Sequence, residues 1–91
     1  MEFEWDPQKA DTNFKKHRVR FSEALPVFDD DDAMTITDDA SDSDEQRFIS
    51  LGCGVKGRVM VVVYGYRGKN IRIISARTAD AQERRQYEEK R

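Results

Sequence analysis

Two apolar runs lying close together constrain this chain more than any other feature. "RVMVVVYGY" (58–66) is almost unbroken, and "NIRIISAR" (70–77) follows it after the turn "YRGKN". A near-continuous run of β-branched residues suits a strand buried on both faces, so 58–66 is predicted to be central. Gly68 and Asn70 suit a tight hairpin, which makes the two strands neighbours and antiparallel. Upstream, "RFISLGC" (47–53) places Ile49 and Leu51 on one face, and "MTIT" (34–37) predicts a brief strand. "EFEW" alternates as well, with Phe3 and Trp5 on one side, as in a short half-buried strand.

Helix signals fill the gaps. Asp6-Pro7 is a strong start, since Asp accepts from orphan N–H groups and Pro fits the first helical position. The helix is predicted from Pro7 to about His17, with Ala10, Phe14 and His17 on its inner face. Ser22 caps a second, short helix limited by Pro26. Asp80 and Glu83 have capping-box spacing and open a helix that runs to the end, with Arg84–Glu88 and Arg85–Glu89 as i, i+4 pairs. That helix has little apolar surface beyond Ala81 and Tyr87, so a partner is expected to cover or hold it. The resulting order is β-α-α-β-β-β-β-α in one α+β domain over residues 1–91.

The composition fits such a domain. With 91 residues the core must be modest. Charged and hydrophobic residues each make up 37%, but the apolar ones are clustered in periodic runs, which argues against disorder. No run approaches the roughly 20 residues a membrane span needs. The N-terminus shows no basic region followed by an apolar one, so no signal peptide is expected. A lone cysteine, Cys53, rules out an intramolecular disulfide and fits a reducing, cytoplasmic setting.

Charge is segregated. Residues 29–46 carry nine of the 18 acids and no Lys or Arg, whereas residues 47–91 carry eleven of the 16 basic residues and four acids. A partner meeting the C-terminal half therefore meets a cationic surface, because exposed charge is felt only over about 8–10 Å.

Several chemistries drop out. One His, one Cys and no HExxH or CxxC spacing leave little for metal catalysis. The acidic stretches lack the glycine and terminal glutamate of a calcium loop and read as solvated. There is no P-loop, GxGxxG or nucleophile elbow, and no cofactor is expected. What remains is a sheet bearing arginine: Arg47, Arg58, Arg72 and Arg77 lie in or beside three successive strands. A guanidinium fork grips phosphate oxygens bidentately and keeps its charge at neutral pH. Alternatively these arginines keep strand ends soluble or pair with the acidic loop. Arg72, set among isoleucines, is the hardest to explain that way. His17, between Lys16 and Arg18, either completes the packed face of the first helix or serves as a proton carrier near neutrality.

The segments "FEWDPQKADTNFKKHRVRF" and "IRIISARTADAQERRQYE" resemble the BrnT toxin family, in order along nearly the whole chain. The resemblance implies a RelE-like fold, a small curved antiparallel sheet with N-terminal helices packed on it and a C-terminal helix. It implies a metal-independent endoribonuclease that arrests translation, neutralised by a BrnA-type antitoxin whose ribbon-helix-helix domain makes the only DNA contact. The family's KH pair falls on Lys16 and His17, its basic residue before the valine strand on Arg47, and its "RIISAR" arginines on Arg72 and Arg77. The expected roles follow. Arg72, Arg77 and Arg47 meet the transition-state charge, and His17 is the base or acid, with Glu45 and Glu83 as weaker alternatives. Lys16, Arg58 and Lys69 bind RNA. A non-catalytic relative of ParE type, acting on a protein such as gyrase, is the alternative reading. Arg18 stands where the family usually has glycine after the KH pair.

Overall fold

The computed structural model describes residues 2–38 and 46–90. Five strands, β1 (Phe3–Glu4), β2 (Met34–Asp38), β3 (Arg47–Cys53), β4 (Val59–Arg67) and β5 (Asn70–Thr78), form one sheet in the order β1-β5-β4-β3-β2. Helix α1 (Pro7–His17) and a 3-10 helix (Phe21–Asp29) lie between β1 and β2, and α2 (Ala81–Lys90) follows β5. The predicted order of elements is therefore present. No helix among the described residues is long and apolar enough to cross a membrane.

β2 to β5 are antiparallel as expected, but β1 runs parallel to β5, with Phe3 opposite Ile71 and Glu4 opposite Arg72. The sheet is thus mixed. Successive hairpins force alternation only from β2 onward; β1 joins a free edge, and Asp6-Pro7 then sends α1 along that edge. Asp6 Oδ1 accepts from Gln8 N at 2.9 Å and Pro7 opens the helix, as the sequence indicates.

The second helix departs in detail from its prediction. It is 3-10, it begins after Arg20 instead of at Ser22, and the Glu23 carboxylate accepts from Arg20 N at 2.7 Å. Pro26 within it supplies no N–H, which disfavours the α-helical ladder.

β4 is central and buried along most of its length. On one face, Met60, Val62 and Tyr64 pack with Ile71, Ile73 and Ala76 of β5 beneath Val19 and the 3-10 helix residues Phe21, Ala24 and Val27. The opposite face is covered only in part. There Val59 and Val61 meet Ala79, which precedes α2, and Tyr87 within it, with Ile49, Leu51 and Cys53 around them.

α1 turns inward the face its periodicity predicts, with Asn13 added to it. Ala10, Phe14 and His17 are half-buried, and Asn13 is the residue it buries. The Asn13 amide donates to Ala76 O at 2.8 Å and Val19 O at 3.0 Å, and its oxygen accepts from Ala76 N at 3.1 Å. Because β1 ends opposite Arg72, the remaining edge of β5 lacks a strand partner, and this one side chain satisfies the N–H and C=O of Ala76 there.

Candidate active site

The half-covered face owes its shape to strand register. Directly paired residues share a face, so Arg47, Gly65 and Arg72 form one row across β3, β4 and β5. The row ends at Asp38 on β2 and Glu4 on β1. The next row is Ile36, Ile49, Val63 and Ser75, and the one after it is Met34, Leu51, Val61 and Arg77. Strands lie about 4.8 Å apart, which puts the backbones of Arg47 and Arg72 about 10 Å apart across a residue without a side chain.

Arg72 and Arg77 share this face only because of an irregularity. Residues five apart on a regular strand point to opposite faces. Between Val63 and Tyr64 the pairing jumps from Ser75 to Ile73, leaving Ile74 as an extra residue. That bulge restores Arg77 to the face of Arg72, in keeping with the habit of bulges to re-aim side chains.

The three arginines differ in their partners. Arg47 and Arg72 are half-buried, and neither makes an ion pair among the described residues. Glu4, the residue beside Arg72, is held by Arg67 at 3.4 Å and by Asn70 at 3.1 Å. Arg77, by contrast, grips Glu83 bidentately at 2.7 and 2.9 Å. This hydrogen-bonded pair raises the Arg77 pKa and holds the Glu83 carboxyl at about 2. So weak a base, with both oxygens engaged, is poorly suited to accept a proton. Glu45 lies outside the described residues.

His17 is half-buried in a cleft of about 420 Å³ between α1 and β5, lined also by Asp6, Lys9, Thr12, Lys16 and Ser75. Ser75 belongs to the arginine face, so it links that face to the cleft. Lys69 is exposed in the β4–β5 turn, near the Arg72 end of the sheet. Arg58 does not join the group. It precedes β4, seven residues from Gly65 and therefore about 20 Å away along the strand.

Other expectations fare variously. The capping box is closed, Glu83 N donating to Asp80 at 2.8 Å and Asp80 N to Glu83 at 2.9 Å. The Arg84–Glu88 and Arg85–Glu89 pairs are not formed among the described residues. Part of the acidic loop is structural rather than solvated: Asp30 accepts from Tyr87 Oη at 2.5 Å and from Cys53 N at 2.9 Å. Gly65 and Asn13 carry the site's shape yet were not singled out by sequence reasoning. An isolated glycine in "VYGYR" is itself a signal of a bulge or close approach.

Residues 5–83 match the family model described as the ribonuclease toxin BrnT of type II toxin–antitoxin systems. A search of curated proteins gave no match. Among solved structures, the 1.1 Å crystal structure of the Brucella abortus ribonuclease toxin BrnT superposes with a TM-score of 0.69 at 23% identity. The match covers 88% of this chain and 97% of that one. At that identity the likeness speaks to fold.

Proposed function

Because the chain belongs to the BrnT family, the ribonuclease toxins of type II toxin–antitoxin systems, we propose that it is a metal-independent endoribonuclease that arrests translation. In the reaction, a ribose 2′-oxygen bonds to the adjacent phosphorus and the bond from phosphorus to the 5′-oxygen breaks. A proton leaves the 2′-hydroxyl and another reaches the departing 5′-oxygen, giving a 2′,3′-cyclic phosphate and a 5′-hydroxyl. The side chains supply proton transfer, worth on the order of 10²–10⁴-fold, and charge stabilisation of the transition state.

The observation that carries this reading is the position of Arg47 and Arg72 on either side of Gly65. Neither has an ion-pair partner among the described residues, and Ser75, on the same face, lines the cleft of the chain's single histidine. Arg47 and Arg72 hold the reacting phosphate, and His17 moves a proton. Lys16 and Lys69 bind flanking phosphates, and Arg77, held by Glu83, borders the far side. Arg58, about 20 Å along the strand from Gly65, takes no part in the chemistry and is left for phosphates further along the RNA. In the cytoplasm a BrnA-type antitoxin with a ribbon-helix-helix domain neutralises the toxin and carries the DNA contact. The groove of Met34, Ile36, Ile49, Leu51 and Val61, with Ile36 64% exposed, adjoins the Arg47 row and suits an antitoxin segment of apolar and acidic residues.

The test is cleavage by the purified chain in excess EDTA. Cutting should persist there and stop when the ribose at the cut position is 2′-deoxy. Complete loss in EDTA would transfer the chemistry to a metal site.

A further inference from the structure

One residue beyond His17 the chain does something costly. Arg18 adopts the left-handed conformation, φ 59° and ψ 30°, as it ends α1, donating its N–H to Phe14 O at 2.8 Å. Glycine is the usual residue in that conformation, and one bearing a β-carbon holds it at a cost of about 1 kcal/mol. The side chain that accompanies this strain is not idle. The Arg18 guanidinium lies 5.7 Å from the Phe14 ring centroid, and the Arg20 guanidinium lies 4.5 Å from the same centroid. Both arginines are exposed, and neither side chain has a carboxylate partner among the described residues. Asp11, which lines the hollow beside Phe14, is paired with Lys15 at 3.1 Å, and Glu23 binds the backbone of Arg20, not its guanidinium.

We propose that Arg18 and Arg20, stacked on Phe14, form a phosphate clamp for single-stranded RNA leaving the His17 cleft. The clamp rests on the ribonuclease reading above but assigns residues outside its chemistry. Stacking on an aromatic ring restrains a guanidinium and leaves its N–H edge facing outward, the geometry that binds phosphate oxygens bidentately. Two such edges on one ring suit a flexible, polyanionic strand. Lys16 and His17, immediately before Arg18, already line the cleft, so the strand need only round the end of α1 to reach them. The strain at Arg18 thus yields a second cationic fork that glycine would not provide.

The experiment is a salt titration of binding. A labelled 2′-O-methyl oligoribonucleotide, which lacks the attacking hydroxyl, is titrated with the intact chain by fluorescence anisotropy across a NaCl series. For single strands the slope of log K against log salt falls by about 0.7 for each phosphate that is no longer neutralised. Arg18→Gly and Arg20→Gln should each flatten the slope by that amount, and the double variant by about 1.4. Arg18→Gly should melt no lower than the parent, so a folding defect cannot mimic the effect. Cleavage of a ribo-oligonucleotide at saturation should be unchanged while its KM rises. Variants that keep the parental slope overturn the clamp and leave the nuclease reading intact, whether or not they bind polyglutamate, a mimic of an acidic protein segment, more weakly. A parent chain that neither binds nor cuts RNA overturns both.

Discussion

Gly65 is the smallest residue on the arginine face, and its lack of a side chain sets the width of the site. A β-carbon there would approach Gln46 O to 3.1 Å, a contact the backbone can relieve by a small shift. A branched side chain would also occupy the space between Arg47 and Arg72. Gly65→Val should therefore lower RNA cleavage on the order of tenfold or more while the chain stays folded, read by cleavage rate alongside circular dichroism. Glu83 makes a different claim at the same scale. Its carboxyl is held at about 2 against an ordinary 4.5, chiefly by its hydrogen bonds to Arg77. A depressed carboxyl stabilises the fold fully above about pH 5 and loses that contribution as pH falls through about 2. Both side chains are partly in water, 39% for Arg77 and 27% for Glu83, so screening keeps the pair near about 1 kcal/mol. Glu83→Gln can keep an acceptor for Asp80 N and removes the charge together with one of the two hydrogen bonds from Arg77. Urea unfolding should show it about 1 kcal/mol less stable than the parent at pH 7, with the gap closing as pH approaches about 2. A gap that stays constant with pH would deny the ion pair any role.

At the scale of elements, the bulge at Ile74 and the helix α1 do the arranging. The strands, the hairpin turn at Gly68 with its φ of 61°, and both helix caps were legible because local chemistry determines them. What was not legible is which face each arginine occupies. By parity alone Arg72 and Arg77 oppose one another, and only tertiary pairing shows the extra residue between them. Register between β3 and β4 is equally hidden, being set by packing across the sheet, not by any local signal. The parallel edge strand was missed for the same reason. Asn13 shows the converse: the sequence displays it within the family-like "KADTNFKK", yet its task becomes visible only once β1 proves too short to cover β5. Asn13→Ala removes three hydrogen bonds and strands the buried N–H and C=O of Ala76. It should cost about 3 kcal/mol in urea unfolding, well above a typical surface substitution. A loss below about 0.5 kcal/mol would mean that water replaces the amide at this edge.

Taken as a whole, the molecule separates its two faces by job. One face is closed by the 3-10 helix over aromatic and aliphatic residues and makes the core. The other is left half-open, with apolar residues on the β2 side and arginines along one row, and only Tyr87 of α2 buried against it. Segregated charge in the sequence pointed to a cationic surface in the C-terminal half, and Arg47, Arg72 and Arg77 share one face of the sheet. The central claim is that the guanidiniums facing one another across Gly65 stabilise the transition state of RNA cleavage. Single-turnover cleavage by the parent and Arg72→Ala, matched for folding, tests it most directly. The account predicts a fall on the order of 100-fold or more with little change in RNA affinity, only partly restored by Arg72→Lys, which keeps the charge but not the fork. Cleavage by Arg72→Ala within about twofold of the parent would contradict it.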